Sequence, residues 1–141
     1  MRVKENRRIS DELESLIDQD PEQWSRVAYR ELALEKVRQA EFPQYPSRMA
    51  CLYTSRTLQD ARGWAEFFRR AGRQVFSIVR LGVEGRIFSG DACLCFDGVE
   101  NEEENLPLAR SYWRRDRRDG PVVLEVLADG RMEVLEIVET Y

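Results

Sequence analysis

The sequence predicts an α+β fold, on three observations. Periodicity marks about five or six strand-like segments and about three or four helix-like ones. The strands are not regularly separated by helices, which argues against a doubly wound parallel sheet. Near the C-terminus two alternating runs, 122–128 and 132–138, flank Asp129-Gly130, the dipeptide pattern that most strongly signals a hairpin. At 141 residues, 43% hydrophobic and 34% charged, the chain has the size and apolar content of one domain.

Residues 1–45 read as an N-terminal helical segment and 46–141 as the α+β core. Asp11 to Ile17 predicts a short helix. Asp20-Pro21-Glu22 predicts a stronger start, with Asp20 as N-cap and Pro21 at the first helical position. That helix runs to about Ala40. Its apolar residues fall on two adjoining faces, one with Trp24, Val27, Ala28 and Leu32, the other with Tyr29, Ala33, Val37 and Ala40. Phe42-Pro43 and Tyr45-Pro46 end it, because a residue before proline avoids helical angles.

Met49 to Tyr53 predicts a buried strand. Thr57 caps the next helix, and Asp60 completes a near capping box. Leu58, Ala61, Trp64, Ala65 and Phe68 form the inner face of that helix, which places Trp64 and Phe68 against the sheet. Gly72 ends it. Gln74 to Leu81 predicts a strand that turns through Gly82 to Gly85 into Arg86-Ile87-Phe88. Asp91 to Phe96 predicts another short strand, followed by an acidic loop over 97–105. Asn105 is placed to cap a helix with Pro107 in its first turn and Leu108 and Tyr112 facing inward.

Composition narrows the function. A net charge of -4 argues against a general nucleic-acid binder. No apolar run is long enough to span a bilayer. The basic start MRVKENRRIS has no apolar region after it, so it does not read as a signal peptide. A cytoplasmic protein with no membrane partner is expected. The absence of histidine excludes Ser-His-Asp and Cys-His nucleophile systems and HExxH zinc sites. The odd cysteine count, Cys51, Cys93 and Cys95, predicts free thiols. Cys93 and Cys95 would share one strand face, but a zinc site would lack its fourth ligand, so no metal is expected.

Arg48, Tyr53, Thr54, Ser55 and Arg56 form the first candidate site. A strand end running into a capped helix offers free backbone N–H groups and a positive dipole end, and arginine adds bidentate pairing, so the pattern suits an anionic ligand. On residue types alone ordinary capping is the commoner reason for such hydroxyls. Asp91 and Asp97 bracket the short strand as candidate carboxylates, while Glu102 to Glu104 read as a solvated loop. Tyr112 and Trp113 with Arg114 to Arg118 combine aromatic and basic character, although cations at a helix C-terminus also complement its dipole. Alternation puts Glu136 on the face of Val134 and Val138, a core-side position for a carboxylate.

Taken in order, LYTSRTLQDARGWAEFF, FSIVRL, VEGRIFSGDA, ARSYW and the closing PVVLEVL and MEVLEIV resemble the ADP-ribosyltransferase superfamily. The resemblance is to its small bacterial type, typified by rifampin ADP-ribosyltransferase, and to an uncharacterised bacterial family that shares its core. It spans about Arg48 to Val138 and implies a split mixed or antiparallel sheet. It also implies NAD as a substrate, with an unknown macromolecular or small-molecule acceptor. Tyr53 would border the nicotinamide, Thr54 and Ser55 would line the pocket, and Arg48 and Arg56 would meet the pyrophosphate. Asp91 in the rifampin type, or Glu136 in the toxin type, would orient the ribose and steady charge at its anomeric carbon. The superfamily opens with a strand carrying His or Arg, and nothing before Asp11 reads as that strand. The alternative is a non-catalytic interaction module on the same fold, with the acidic loop and the Tyr112-Trp113 helix as its contact surface.

Overall fold

The computed structural model describes residues 18–141. Among them, three α-helices and five β-strands make an α+β fold. The helix predicted at Asp11 to Ile17 lies outside these residues. Helix α1 (Pro21–Glu41) starts as expected: the Asp20 carboxylate accepts the Gln23 N–H at 3.3 Å. It buries Ala33, Leu34 and Val37 and leaves Leu32 exposed, so the second of its two apolar faces meets the core.

A 3-10 turn at Arg48–Ala50 leads into β1 (Leu52–Thr54). Helix α2 (Leu58–Arg70) is capped by Thr57, whose hydroxyl accepts the Asp60 N–H at 3.1 Å. Gly72, at φ +78, ends it. Only Ala65 is fully buried on this helix. Trp64 and Phe68 are half-buried, with Trp64 stacked on Phe68 at 5.8 Å and edge-on to Phe67 at 5.7 Å. The expected burial of these rings is therefore only partial, because they pack chiefly on one another and on the rim of the sheet.

The remaining elements are β2 (Ser77–Glu84), β3 (Ile87–Asp91), α3 (Glu102–Arg114), β4 (Leu124–Ala128) and β5 (Arg131–Thr140). They form a three-stranded sheet, β1-β4-β3, and a two-stranded sheet, β2-β5, with every pairing antiparallel. This corrects the expected hairpins. β4 does not fold back on β5, nor β2 on β3. Instead β2 continues through a bend at Gly85-Arg86 into β3, and β4 continues through Asp129-Gly130 into β5. The two bent strands run side by side. Gly130 sits at φ +96, and the Asp129 carboxylate accepts the Arg86 backbone N–H and Nε, each at 3.0 Å. Asp129-Gly130 thus supplies the positive φ its composition promises, but for a bend rather than a reversal.

Two register shifts interrupt the β2–β5 pairing, and they overturn the expected position of Glu136. Arg80 pairs with Glu136 and Leu81 with Val134, so Leu135 is an extra residue on β5. A β-bulge of this kind switches which face the following residues occupy. Glu136 therefore shares a face with Arg80, at 3.3 Å, and its carboxylate is exposed. The opposite face carries Val79, Leu81, Val83, Met132, Val134 and Ile137. Met132 is buried near the bend, whereas Val134 and Ile137 are exposed.

The strand predicted over Asp91 to Phe96 ends at Asp91 and becomes a 3-10 turn at Ala92–Leu94. Cys93 is exposed and Cys95 half-buried, so the two do not share a strand face. Helix α3 begins three residues before the predicted cap. Asn101, not Asn105, is the N-cap, and it accepts the Glu103 N–H at 3.2 Å. Asn105 is buried and holds the loop instead, accepting Val99 N–H at 2.9 Å and donating to Val99 O at 2.7 Å. Part of the predicted acidic loop is thus the first helical turn, where Glu102, Glu103 and Glu104 suit the positive dipole end.

The core lies between α1, α3 and the three-stranded sheet: Leu34, Val37, Phe88, Ala109, Tyr112, Trp113 and Leu127. Trp113 is the largest of its sealed side chains, and its indole donates to Leu34 O at 2.8 Å. The expectation that Tyr112 and Trp113 form a contact surface is therefore corrected, since both face inward. No helix among the described residues is long and apolar enough to cross a membrane.

Candidate functional site

The strands of the three-stranded sheet bring most of the expected site to one end. β1 and β3 both run antiparallel to β4, so Thr54, Asp91 and the start of β4 lie at the same end. Tyr53 pairs with Leu127, and Asp91 with Leu124. Side chains alternate across a strand, so Tyr53 lies on the face of Glu125 and Leu127, while Thr54 and Asp91 lie on the other. The sheet end gathers these residues but divides them between its two faces.

Behind Tyr53 is a chain of alternating charges that the sequence did not reveal. Arg30 pairs with Glu31 at 3.1 Å, and Glu31 with Arg48 Nε at 3.0 Å. Arg48 Nη1 donates to Glu125 Oε1 at 2.5 Å and to the Tyr112 hydroxyl at 2.7 Å. The Tyr112 hydroxyl donates to the same Glu125 oxygen at 2.5 Å. This network joins α1, the turn before β1, α3 and β4. Burial opposes a charge on Arg48, but the Glu31 carboxylate together with Tyr112, Tyr53 and Cys95 outweighs it and holds the guanidinium above its ordinary range. Burial also pushes the Tyr112 phenol up, with Arg48 opposing. Arg48, expected to meet a pyrophosphate, is committed inside the fold.

Tyr53 covers this cluster. Its hydroxyl donates to Arg48 O at 3.2 Å, and its ring lies 5.3 Å from the Arg48 guanidinium carbon. The residue is 53% exposed, while burial pushes the phenol above its ordinary range. It is an aromatic platform, tethered at one end and open to solvent. Thr54 is turned to the sheet, its hydroxyl donating to Val126 O at 3.1 Å. Ser55 and Arg56 follow at the entry to α2, and within the described residues neither side chain makes a hydrogen bond or ion pair.

The two expected carboxylates lie apart. Asp91 is buried and ends β3. Its Oδ1 accepts Cys93 N–H at 3.0 Å and Val123 N–H at 3.1 Å, and its Oδ2 accepts Arg118 Nε at 3.0 Å. Burial works against the ionised form, but the two N–H groups and Arg118 hold the carboxyl below its usual range. Asp91 thereby ties the 3-10 turn, the start of β4 and the loop after α3 together. Glu136 belongs to the other sheet, paired with Arg80.

Cys51 and Cys95 flank the charged cluster. Cys51 Sγ is 3.7 Å from Arg48 O, and Cys95 Sγ is 4.0 Å from Glu125 Oε1. Burial pushes the Cys51 thiol up to about 12 and the Cys95 thiol up to about 11, with Arg48 opposing in both. No group of three or more His, Cys, Asp or Glu among the described residues is arranged to hold a metal ion. An open groove of about 540 Å³ runs along the first turns of α1, between Asp20, Gln23, Arg26, Arg30 and Asp97. It carries both signs of charge and, apart from the candidate carboxylate Asp97, none of the residues expected at the site.

A family model described as "Protein of unknown function (DUF2441)" matches residues 2–140. No curated protein matches the chain.

Proposed function

We propose, for a chain that belongs to the DUF2441 family, an NAD-binding domain of the ADP-ribosyltransferase-like type, its ligand seated where β1 meets α2. The observation that carries this is Tyr53, a half-exposed ring with its hydroxyl tied to the backbone, placed just before a capped helix. A pre-positioned aromatic is what a base or nicotinamide ring stacks on. The Leu58 and Gln59 amides at the start of α2 lack intrahelical partners and suit a phosphate, while the Asp60 amide is taken by the Thr57 hydroxyl. Exposed Arg56, which pairs with no acid among the described residues, adds a cation, and Ser55 adds a hydroxyl, although Asp60 stands in the same first turn. The split pair of antiparallel sheets supports the same fold type.

In the transferase form of this reading, the bond between the nicotinamide nitrogen and ribose C1′ breaks and nicotinamide leaves with the electron pair. An acceptor nucleophile, on a macromolecule or a small molecule, bonds C1′ and releases a proton. A carboxylate steadies the charge on the ribose. Asp91 is the candidate at the right end of the sheet, but its oxygens already receive three donors. That observation favours a second reading, a non-catalytic module on the same fold that binds without transferring. Calorimetric titration of NAD, with nicotinamide release measured alongside, separates the two. Binding with release supports the enzyme, and binding alone supports the module. A folded sample that takes up no NAD at millimolar concentration removes both NAD readings.

A further inference from the structure

Tyr53 is 53% exposed, but one face of its ring is already occupied by a cation. The Arg48 guanidinium carbon lies 5.3 Å from the Tyr53 centroid and 5.0 Å from that of Tyr112, so it sits between two aromatic rings. Its N–H groups point along its edges to Glu31, Glu125 and the Tyr112 hydroxyl. The flat face is left for the rings. Arg48 cannot swing away, because side chains from α1, α3 and β4 hold it and it is buried.

An aromatic ring attracts cations through the negative charge on its two faces. A guanidinium on one face draws that electron density inward and leaves the other face less attractive to a second cation. The two halves of NAD differ in this respect. The nicotinamide ring of the oxidised form carries a full positive charge, whereas adenine is neutral near pH 7. Adenine stacks through dispersion and offset overlap, which the buried guanidinium does not weaken.

We infer that Tyr53 is the platform for a neutral purine, the adenine end of an adenine nucleotide, and not for the charged nicotinamide ring. This rests on the proposed ligand site at β1 and α2, and it reverses the role that the family resemblance implies for Tyr53. It places the phosphates toward Arg56 and the α2 amides, and the nicotinamide-ribose bond away from Tyr53.

The test is calorimetric titration of the full chain with three probes: NAD, adenosine monophosphate and nicotinamide mononucleotide. Adenosine monophosphate is expected to bind within about threefold of NAD, and nicotinamide mononucleotide at least about tenfold more weakly. Tyr53→Ala is expected to weaken adenosine monophosphate about tenfold, the scale of one lost base stack. The probe comparison needs no variant, so it stands even if that substitution disturbs the fold. Nicotinamide mononucleotide binding as tightly as adenosine monophosphate, or more tightly, overturns the inference and leaves the NAD reading intact. Failure of all three probes on folded protein overturns the NAD reading and the inference together.

Discussion

Gly85 and Gly130 face each other where the two bent strands cross. A Cβ on Gly130 would stand 2.9 Å from Gly85 Cα and 2.4 Å from Glu84 O, and a Cβ on Gly85 would stand 2.0 Å from Asp129 O. Each clash is with backbone, which has nowhere to go. Gly130→Ala adds a Cβ at φ +96 and is expected to cost more than about 2 kcal/mol. Gly63 is the contrast: it lies inside α2 with nothing within 4 Å of its Cβ position. Gly63→Ala should therefore stabilise by about 0.5–1 kcal/mol. Urea unfolding checks the sign of both, and a neutral Gly130→Ala would mean that the crossing is not as close as described.

The Arg48 cluster predicts strong coupling. Removing one partner from a buried ion pair leaves the other uncompensated, so Arg48→Ala should cost about 3–5 kcal/mol. Glu125→Ala should cost nearly as much alone and far less once Arg48 is gone. A double-mutant cycle on the two should give a coupling of about 0.5–3 kcal/mol. Strict additivity would show that the network is not a unit.

Thiol chemistry should divide the cysteines. Cys93 is exposed, while burial raises Cys51 to about 12 and Cys95 to about 11. At pH 8 almost none of the two half-buried thiols is ionised, and the thiolate is the reactive form. A disulfide reagent should modify one thiol quickly and two slowly, and Cys93→Ser should abolish the fast phase. A fast phase surviving that substitution would place a reactive thiol inside the cluster.

Asp91 predicts a pH window. Its carboxyl is lowered from an ordinary 3.8 by the Cys93 and Val123 N–H groups and Arg118, against the opposing effect of burial. A carboxyl with a depressed folded-state pKa contributes stability that is complete above the unfolded value and disappears as pH falls through the folded one. The stability lost in Asp91→Asn should thus be greatest above about pH 5 and should shrink below 3.8. Chemical denaturation at a series of pH values measures it, and a difference that grows on acidification would contradict the assignment.

Local signals were legible where a residue and its partner lie within one turn. Asp20 and Thr57 cap the helices the sequence assigns to them, since a capping side chain reaches only to the third residue on. Asp129-Gly130 was legible as backbone shape but not as topology. A positive φ serves a bend as well as a hairpin, and only the pairing of β2 with β5 decides between them. Glu136 was misplaced because alternation assumes no bulge, and Leu135 is one. Trp113 was obscured by its arginine neighbours, although the helical period from Ala109 and Tyr112 points inward. The Arg48 cluster was hidden because its members come from four separate stretches. One available signal was Glu125 itself, a carboxylate flanked by Leu124 and Val126 in a run read as an alternating strand.

The order of the strands constrains how the chain folds as it is made. Among the described residues, β1 and β3 pair only with β4, and β2 only with β5. Every strand that leaves the ribosome early is therefore waiting for residues 124–140. Until those emerge, α1 and α2 can form, but Tyr53 has no floor, Arg48 has no Glu125, and the edges of β1, β2 and β3 stand open to other chains. Such long-range pairing folds slowly and leaves apolar strands exposed meanwhile. Only the arrival of β4 and β5 gives those open edges their partners.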